Sequence, residues 1–570
     1  MRIKILNWTV ILVFLFIFSG LLNMQLMQGK RFSELSSQNC IRLVPQEGSR
    51  GRVLDRWGSV IVDNGLSYNV MVSPAENGQV DKALQAASRI LDGNFKSLKE
   101  NFGKKGAVSF MPVTIARNVD IKKAIALEEL KPELDNIMIQ PYPLRSYPYA
   151  RLACHVLGYL GEIDLWRLTK LANYGYKTRD IVGFGGIEEK YDYFLRQETG
   201  GLSVKVDHRG RSAGILGFRP PSNGKDIELT LDLRIQKIAE AALGGRKGSV
   251  IIMDPNNGQI LAMANFPNFD PSIFVNKSFD SIARLFLDAH APFINRAISG
   301  LYPAGSVFKP VVACAALETG KINSSKTYVC AGKMRIGNRD FRCWDTHNKQ
   351  DLTAAIADSC DVFFYRTGLL LGGQAIYDYA VKFGFSRPTS VDLPYESGGQ
   401  VPSPLSRKIT KFKNWFDGDT ANLSIGQGEL LVTPLQVLRM TAAFANKGFL
   451  VNPYVVKSID GQELSGQKRK TALNLKDSTI NYIRQGMRKA VSDPRGTANM
   501  LSGLKVACAG KTGTAEVSRR ASHGWFTGFF PYQEPKYAIC VFLENGGSGH
   551  AATAVAKAII EEMDKQRIIQ

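Results

Sequence analysis

The chain has 570 residues, 44% of them hydrophobic, so it can bury a large core and is expected to fold as two or three domains rather than to remain disordered. Its 72 Lys and Arg residues outnumber 51 Asp and Glu residues, and the formal charge of +21 suits an anionic membrane surface, an acidic polymer or a nucleic acid. The basic residues are scattered and no zinc-finger, RNA-recognition or basic-zipper pattern accompanies them, so we do not expect nucleic-acid binding.

A membrane anchor is predicted at the N-terminus. No charged residue lies between Ile5 and Gly29, and this apolar stretch is long enough to cross a bilayer once. A cleaved signal peptide is the alternative, but the stretch is longer than a usual signal core and no A-x-A cleavage site follows it. We therefore expect an uncleaved single-pass anchor over residues 1–29. Cations flank it on both sides, so they do not decide its orientation.

Residues 30–212 combine short strand and helix patterns with frequent glycine. The stretch GRVLDRWGSVIVDN alternates apolar and polar residues around a D-R-W-G turn, which predicts a hairpin-like pair of strands. The stretch GFGGIEEKYDYFL lacks the G-x-G-x-x-G spacing of a phosphate loop, so we expect a turn before a helix. Residues 213–225, AGILGFRPPSNGK, are rich in proline and glycine and are predicted to be a linker.

Residues 226–570 are predicted to form an α+β domain. IELTLDLRIQKIAEAAL begins with a strand pattern and continues as a helix, and GSVIIMDPNNGQILAMANFP contains two β-rich runs joined by a P-N-N-G turn. Further strand patterns, GWFTGFF and YAICVFLEN, follow near the C-terminus. An antiparallel sheet with helices packed on it is the expected arrangement.

The stretch YPAGSVFKP places a serine and a lysine three residues apart. On one face of a helix, Ser306 and Lys309 can bring a hydroxyl and an amine within reach of each other. A lysine that is partly desolvated and surrounded by other cations can serve as the base that activates such a serine. Pro310 lies late for a first-turn proline, so an irregular turn is expected here. Alone, S-x-x-K occurs by chance on many helices and carries little information.

Two later stretches indicate that the S-x-x-K motif belongs to an active site. DSCDVFFY contains Ser359, Cys360 and Asp361, and CAGKTGTAE contains Lys511. A serine-lysine tetrad, an S-x-N/D triad and K-T-G, in that order, form the set used by penicillin-interacting acyl transferases. Ser306 would attack an acyl carbon, Lys309 would take its proton, and Ser359 would relay a proton to the leaving amine.

The K-T-G strand is predicted to bind the substrate. Lys511 adds positive charge that helps to keep the neighbouring lysine neutral and to hold a substrate carboxylate. Thr512 and Thr514 offer hydroxyls to the same carboxylate. Gly513 would let the strand approach the substrate closely, in backbone pairing of the strand-addition kind.

Together these motifs resemble the class B penicillin-binding proteins, membrane-anchored D,D-transpeptidases that cross-link peptidoglycan. RSYPYARLACHVLGYLG, GFGGIEEKYD and LSIGQGELLVTPLQ are similar to pedestal and transpeptidase segments of that family. Trp57 stands where the family usually has asparagine within the signature R-G-x-x-x-D-R-x-G. The other signature residues match: Arg50, Gly51, Asp55, Arg56 and Gly58.

The resemblance implies a penicillin-binding transpeptidase fold, in which helices sandwich an antiparallel sheet, preceded by a mixed α/β pedestal and one transmembrane helix. It implies a cytoplasmic N-terminus, a catalytic body in the periplasm, and an oxyanion hole from the backbone N–H groups of Ser306 and Thr514. The substrates would be peptidoglycan stem peptides, with loss of a terminal D-alanine, and β-lactams would acylate the serine. The sequence shows no pattern of a glycan-polymerising domain, so a polytopic polymerase of the rod-shape (SEDS) type is the expected membrane partner.

Asp361 bears on the type of enzyme within the family. Division-type members usually carry asparagine at this position, whereas aspartate resembles the elongation type, and the division type remains the alternative. A carboxylate accepts hydrogen bonds but cannot donate them as an amide does, so a direct substrate contact by this residue is open to question.

Three cysteines and a histidine are clustered in the sequence with the spacing C-x12-C-x3-H-x12-C. Cys330, Cys343, His347 and Cys360 would make a complete tetrahedral zinc set, which leaves no open position for water and is therefore structural. A disulfide or plain buried cysteines are the alternatives. Some elongation-type members are similar in having a metal beside the S-x-D triad. If one cysteine is not a ligand, the candidate substitutes are Asp340 and Asp345. No organic cofactor is expected.

Two other functions share parts of this pattern. A class A β-lactamase uses a glutamate in an E-x-x-L-N loop between the second and third motifs, and no such string occurs between Asp361 and Lys511. A β-lactam sensor would need a signalling domain, and only a few residues precede the anchor. A retired scaffold would not need Ser306, Lys309 and Ser359.

Overall fold

The longest apolar run of the sequence forms a helix in the computed structural model, which describes residues 2–39, 41–73, 77–106, 112–134, 136–206, 212–276, 278–464, 470–517 and 520–569. Cys40 lies outside the described residues. The helix continues through a π-helical turn, and residues Arg2–Met27 are the single described segment long and apolar enough to cross a membrane. Its side chains are exposed throughout, as expected for an anchor.

The elements are numbered in chain order. Residues 2–146 contain α1 Arg2–Leu22, α2 Gly29–Asn39, β1 Ile41–Gln46, β2 Val53–Leu54, β3 Val60–Val72, α3 Asn77–Ile90, α4 Phe95–Gly106, β4 Val113–Val119, α5 Ile121–Glu128 and β5 Ile137–Ser146. The next residues, to 219, contain α6 Cys154–Leu157, β6 Tyr159–Glu162, α7 Leu165–Leu171, β7 Ile181–Phe184, α8 Gly186–Lys190, α9 Asp192–Leu195, β8 Gly200–Val206 and β9 Ser212–Arg219.

The C-terminal part begins with β10. As far as residue 382 it contains β10 Ile227–Leu229, α10 Leu233–Leu243, β11 Gly248–Met253, β12 Ile260–Phe266, α11 Ser272–Val275, α12 Phe279–Leu287, α13 Lys309–Glu318, β13 Tyr328–Cys330, β14 Lys333–Ile336, β15 Arg339–Arg342, β16 Asn348–Gln350, α14 Leu352–Ala357, α15 Asp361–Leu371 and α16 Gly373–Lys382. It then contains α17 Pro404–Lys411, α18 Asp417–Ser424, α19 Pro434–Ala445, β17 Phe449–Val451, β18 Val456–Ile459, β19 Gln462–Glu463, β20 Lys470–Ala472, α20 Asp477–Ser492, β21 Ala509–Ala515, β22 His523–Phe530, β23 Tyr537–Leu543 and α21 Gly549–Lys565.

The chain divides into two compact units. The first comprises residues 1–50, 64–145 and 196–224, and the second comprises residues 51–63, 146–195 and 225–570. This division differs from the expected pedestal over residues 30–212, because the segments around β6, β7 and α8 pack with the C-terminal residues. Stacked aromatic rings carry part of this packing, with Tyr159 centred 3.9 Å from Phe274.

The first unit contains an antiparallel sheet in the order β1-β8-β9, and a group of β3, β4 and β5 against which α3 and α5 pack. The predicted linker over residues 213–225 needs correction here. Its first part lies in β9, which pairs with β8 through partners such as Val204 and Ile215. The glycine and proline content of this stretch predicts a linker. It forms a strand because it pairs with β8, which lies outside the stretch.

The second unit is built on a five-stranded antiparallel sheet with the order β12-β11-β23-β22-β21. Successive side chains of a strand point to opposite faces, so Val250 and Ile252 join one core while Ile251 and Met253 join the other. Helices α10 and α21 cover the first face and α19 covers the second. The predicted α+β sandwich, the hairpin of β11 and β12, and the two strands near the C-terminus are confirmed.

The family signature near residue 55 forms a hairpin turn between β2 and β3, as predicted. Asp55 accepts hydrogen bonds from the backbone N–H groups of Trp57 and Ser59, at 2.9 and 2.8 Å. The indole N–H of Trp57 donates to Asp232 at 2.8 Å, which gives the unusual tryptophan a partner of its own. The signature therefore stabilises a turn at this position.

Three further histidines, His155, His523 and His550, have no metal-ligand partners among the clustered residues that could hold an ion in the described part of the chain. His155 and His523 are buried among aromatic rings, and His550 is exposed. His208 lies outside the described residues. Burial lowers the pKa of His155 to about 4 against the opposing effect of its hydrogen bond to the Pro292 carbonyl, so this side chain is neutral at physiological pH.

Candidate active site

Ser306 lies on a tight turn that joins two segments of the second unit. Residues Gly305–Phe308 form a 3-10 turn, and the regular helix α13 begins only at Lys309, with Pro310 in its first turn. The predicted irregular turn is therefore confirmed. Ser306 is partly exposed, whereas Lys309 is completely buried.

Glycines allow this turn to approach its neighbours closely. Gly305 has φ +58°, and a Cβ there would lie 2.8 Å from the carbonyl oxygen of Thr514. The N–H of Gly305 donates to the carbonyl of Gly426 at 2.8 Å, and a Cβ on Gly426 would lie 2.1 Å from the carbonyl oxygen of Gly305. The sequence prediction did not include Gly426 in the site, although the quoted stretch LSIGQGELL contains it.

Lys309 joins the first two sequence motifs. Its Nζ donates to the backbone carbonyl of Ser359 at 2.7 Å, to Ser359 Oγ at 3.2 Å and to Asp361 Oδ1 at 2.7 Å, and it lies over the ring of Phe364. All three hydrogen bonds are accepted by the loop of residues 359–361, called the S-x-D loop here, and none of them is accepted by Ser306 Oγ. Burial raises the pKa of Asp361, and the charge of Lys309 opposes that rise.

The S-x-D loop is held in an unusual backbone conformation. Ser359 has φ +57°, which non-glycine residues seldom adopt, and it lies between α14 and α15. Its neighbour Asp358 accepts two hydrogen bonds that hold it in place. The indole N–H of Trp344 donates to its backbone carbonyl at 3.0 Å, and Gln350 Nε2 donates to its carboxylate at 2.9 Å. The sequence prediction missed these supporting residues, because nothing in their spacing sets them apart.

Strand β21 brings the third motif to the same place. Lys511 is completely buried, and its Nζ donates to the carbonyl of Thr512 at 3.0 Å. Burial lowers the pKa of Lys511 far below its usual value; the charge of Lys309 adds to this effect, while the carboxylate of Asp361 opposes it. The lysine whose pKa is lowered here is therefore Lys511, whereas the sequence predicted that Lys511 would help to keep Lys309 neutral.

The edge of β21 is open. This strand is the last in the sheet order and pairs with β22 alone among the described strands. Thr512 is buried, and Thr514 is exposed with its Oγ1 accepting a hydrogen bond from the N–H of Gly549 at 3.1 Å. A Cβ on Gly513 would lie 3.0 Å from Val307 Cγ1 and 3.3 Å from the carbonyl oxygen of Ala304. A side chain at this position would therefore crowd the serine turn that packs on it.

The predicted metal ligands meet beside the S-x-D loop. The ligand atoms of Cys330, Cys343, His347 and Cys360 all lie within 4.8 Å of one another. His347 Nδ1 is 3.4 Å from Cys343 Sγ and 3.7 Å from Cys330 Sγ. A tetrahedral zinc site with bonds of about 2.0 to 2.3 Å requires such a convergence of one imidazole nitrogen and three sulfurs. The residues present therefore fit zinc.

Protonation within this cluster follows from the short contacts. The hydrogen bond from Cys360 lowers the pKa of Cys343 far below its usual value and raises that of Cys360. Burial would lower the pKa of His347, but hydrogen bonds to Cys343 and Cys330 outweigh it and raise this pKa to about 9. The seven described cysteines are free thiols, so the predicted alternative of a disulfide is not present among them.

The two aspartates named as substitutes do not join the cluster. Asp340 is exposed and pairs with Lys333 and Arg335. The carboxylate of Asp345 accepts a hydrogen bond from the N–H of Thr346. Cys343 instead links the cluster to the site, because its sulfur accepts a hydrogen bond from the N–H of Asp361 at 3.2 Å.

Comparisons with known proteins agree with this geometry. Residues 248–561 match the family model of the penicillin-binding protein transpeptidase domain, and residues 45–229 match that of the penicillin-binding protein dimerisation domain. The chain is 30% identical to peptidoglycan D,D-transpeptidase MrdA of Salmonella typhimurium, over 99% of this chain and 95% of that protein.

Two solved structures are similar over nearly the whole chain. One is the complex between penicillin-binding protein PBP2 and MreC from Helicobacter pylori, with a TM-score of 0.83 and 28% identity over 93% of this chain and 99% of that chain. The other is a peptidoglycan synthase complex that coordinates polymerization and crosslinking, with a TM-score of 0.74 and 27% identity over 98% of this chain and 97% of that chain.

Proposed function

The chain belongs to the penicillin-binding proteins with a transpeptidase domain, and we propose that it is the elongation-type peptidoglycan D,D-transpeptidase, similar to penicillin-binding protein 2. The observation that carries the proposal is the meeting of three distant motifs. Lys309, three residues after Ser306, contacts Ser359 and Asp361, while the strand of Lys511 packs on the same serine turn. Each motif alone occurs by chance, whereas their convergence at one partly exposed serine does not.

The first half-reaction is acylation of the serine. Ser306 Oγ attacks the carbonyl carbon of the penultimate residue of a donor stem peptide, and its proton passes to the amine of Lys309, which must be neutral at this step. The bond to the terminal D-alanine then breaks. Ser359, which lies 3.2 Å from Lys309 Nζ, passes a proton to the leaving amine, so that D-alanine departs and an ester to Ser306 remains.

The second half-reaction reverses the proton path. An amine of a neighbouring strand attacks the ester carbon, and its proton returns through Ser359 and Lys309 to Ser306 Oγ as the ester bond breaks. A new amide bond joins the two strands. In both steps we infer that the backbone N–H groups of Ser306 and Thr514 stabilise the oxyanion. The two segments lie close together, because a Cβ added to Gly305 would lie 2.8 Å from the carbonyl oxygen of Thr514.

Recognition of the donor uses the open edge of β21. An extended peptide can add to this edge by backbone hydrogen bonds. Thr512 and Thr514 then offer hydroxyls to the terminal carboxylate, and Lys511 lies on the same strand. Asp361 is engaged by Lys309, which supports a role in holding the lysine rather than a direct contact with substrate.

The test is an intact-mass time course of the full chain in detergent with benzylpenicillin, with Ser306→Ala as the control. We expect a persistent adduct that maps to the Ser306 peptide and is absent from the control. An adduct that forms and clears within seconds would identify a β-lactamase, and no adduct would contradict an acyl transferase. Cross-linked peptides formed from uncross-linked peptidoglycan strands, detected by mass spectrometry, would then establish transpeptidation.

We further propose that the cluster of Cys330, Cys343, His347 and Cys360 holds a structural zinc ion. Four protein ligands complete its coordination, so the metal would supply folding stability and no reaction step. Cys330 precedes the β14–β15 hairpin, Cys343 follows it, and Cys360 adjoins Ser359 in sequence. The site would therefore fasten the hairpin to the S-x-D loop.

Placement in the cell is also a proposal. The apolar segment Arg2–Met27 supports a single-pass anchor in the inner membrane, with the catalytic unit in the periplasm where peptidoglycan is found. A polytopic glycan polymerase of the SEDS type is the proposed membrane partner. Similarity to a chain of a peptidoglycan synthase complex that couples polymerization and crosslinking supports it.

A further inference from the structure

The β14–β15 hairpin concentrates positive charge on one of its two faces. In the antiparallel register, Lys333 lies opposite Arg342 and Arg335 lies opposite Asp340, so these four side chains point to the same side. Asp340 contacts Lys333 at 3.1 Å and Arg335 at 3.3 Å. The carboxylate of Asp340 thus forms ion pairs with two cations. The guanidinium of Arg342 has no carboxylate partner among the described residues.

This arrangement is unfavourable for the hairpin by itself. Like charges directly opposite each other in an antiparallel pair destabilise the sheet, and Lys333 and Arg342 form such a pair. The other face carries Met334, Ile336 and Phe341 together with the exposed Arg339, and Phe341 packs edge-on against Tyr365 at 5.6 Å between ring centroids. The charged face is therefore turned to solvent, where an anion would relieve the repulsion.

The base of the hairpin adjoins the catalytic groups. The hydroxyl of Tyr365 donates to the carbonyl of Arg342 at 3.0 Å, and the N–H of Asp361 donates to the sulfur of Cys343 at 3.2 Å. Asp361 in turn contacts Lys309 at 2.7 Å. Arg342 is thus connected to Lys309 by a short chain of contacts through its neighbour Cys343 and through Asp361.

We propose that this face binds the carboxylates of the acceptor stem peptide. The inference rests on the proposed function, in which the donor peptide lies along β21. The attacking amine must give its proton to the pair of Ser359 and Lys309, so it arrives from their side of the ester. The remainder of the acceptor then extends over the adjoining hairpin, whose cations match the carboxylates that stem peptides carry.

The test compares two acceptors with the full chain in detergent. The donor is a thioester peptide whose released thiol reports acylation, and the acceptors are a stem peptide with free carboxylates and the same peptide with its carboxylates amidated. Arg342→Gln removes the unpaired charge and retains the backbone carbonyl that Tyr365 contacts. Arg339→Gln is the matched control, because Arg339 is also exposed but lies opposite Ile336 on the other face of the hairpin.

The expected result is a rise of about tenfold in the KM for the carboxylate acceptor in Arg342→Gln, with the rate of thiol release unchanged. The KM for the amidated acceptor should already be high in the wild type and should not change in the variant. Arg339→Gln should have the same KM values as the wild type for both acceptors. Added salt should raise the wild-type KM for the carboxylate acceptor more than that of Arg342→Gln.

Several results would overturn the proposal. An equal rise in the KM of Arg342→Gln for both acceptors would indicate that the substitution had changed the shape of the hairpin. A rise in the KM for the thioester donor would mean that the charged face binds the donor instead. Unchanged kinetics in Arg342→Gln and in the double variant Lys333→Gln/Arg342→Gln would show that the acceptor does not bind there. If the wild type is acylated but forms no amide with either acceptor, the proposed transpeptidase function itself fails.

Discussion

Lys309 Nζ lies 2.7 Å from Asp361 Oδ1, and the lysine side chain is completely buried while 16% of the aspartate side chain is exposed. The two residues come from different sequence motifs and meet at the centre of the site. A buried lysine requires a partner, and the aspartate at the third position of the S-x-D triad supplies it. This contact links α13 to the loop that carries Ser359.

Replacement of this lysine should abolish acylation. In Lys309→Met the serine loses the base that accepts its proton, so we expect the rate of acylation by a fluorescent penicillin to fall by about 10³-fold. The loss of the partner also leaves Asp361 buried and unpaired, which should lower the melting temperature. An acylation rate within tenfold of the wild type would assign the base to another group. Lys321→Met, at an exposed lysine beyond α13, is the control.

The burial of Lys511 should appear in the pH dependence of stability. Its folded-state pKa lies well below the usual 10.5, so between these two values the unfolded chain binds one more proton than the folded chain. The free energy of unfolding then rises with pH in that window, by up to about 1.4 kcal/mol per pH unit.

Lys511→Met lacks this titration and serves as the reference. The difference in unfolding free energy between the wild type and Lys511→Met should grow in favour of the wild type as the pH rises towards 10.5. Urea denaturation at each pH measures it. A difference that is constant or shrinks over that range would mean that the lysine is charged in the folded chain.

Removal of zinc should weaken both stability and activity. Elemental analysis should find about one zinc per chain, and chelation should lower the melting temperature together with the acylation rate, because the S-x-D loop loses its attachment. Cys343→Ala should abolish zinc binding, whereas Cys508→Ala, at a buried cysteine outside the cluster, should retain it. A metal-free preparation with full activity would refute the zinc site.

A methyl group on Gly513 should displace the serine turn. A Cβ there would lie 3.0 Å from Val307 Cγ1 and 3.2 Å from the Val307 nitrogen. We expect Gly513→Ala to slow acylation by at least about tenfold, because small displacements of a nucleophile are costly. Gly503→Ala is the control, since a Cβ at Gly503 meets nothing within 4 Å.

A second substitution distinguishes this steric cause from a loss of substrate contact. In Gly513→Ala combined with Val307→Ala the crowding at Val307 Cγ1 is relieved, so part of the lost rate should return. If the double variant is no faster than Gly513→Ala alone, the glycine is needed for contact with the substrate and the packing explanation is wrong.

Local patterns in the sequence predicted much of the fold and the membership of the site. The turn P-N-N-G between two apolar runs was sufficient for the hairpin of β11 and β12, and the order of three short motifs was sufficient to select Ser306, Lys309, Ser359 and Lys511. These features depend on neighbours within a few residues or on spacing along the chain.

Features that depend on long-range packing were not predictable. The i to i+3 spacing of Ser306 and Lys309 describes a regular helix, but the actual turn is 3-10 and the buried amine points to residues 50 positions away in the chain. The strand over Ser212–Arg219 depends on its pairing with β8. The repulsion between Lys333 and Arg342 exists only because of the strand register.

The open edge of β21 has a consequence for turnover. If a donor peptide adds to this edge as proposed, its backbone hydrogen bonds would be the same before and after acyl transfer, so on their own they would retain the product as firmly as the substrate. In the proposed reaction the terminal carboxylate of the donor leaves with D-alanine, so its proposed contacts with the hydroxyls of Thr512 and Thr514 would be lost at that step. The reaction thereby weakens the enzyme's hold on the strand it has just joined, which frees the edge for the next donor.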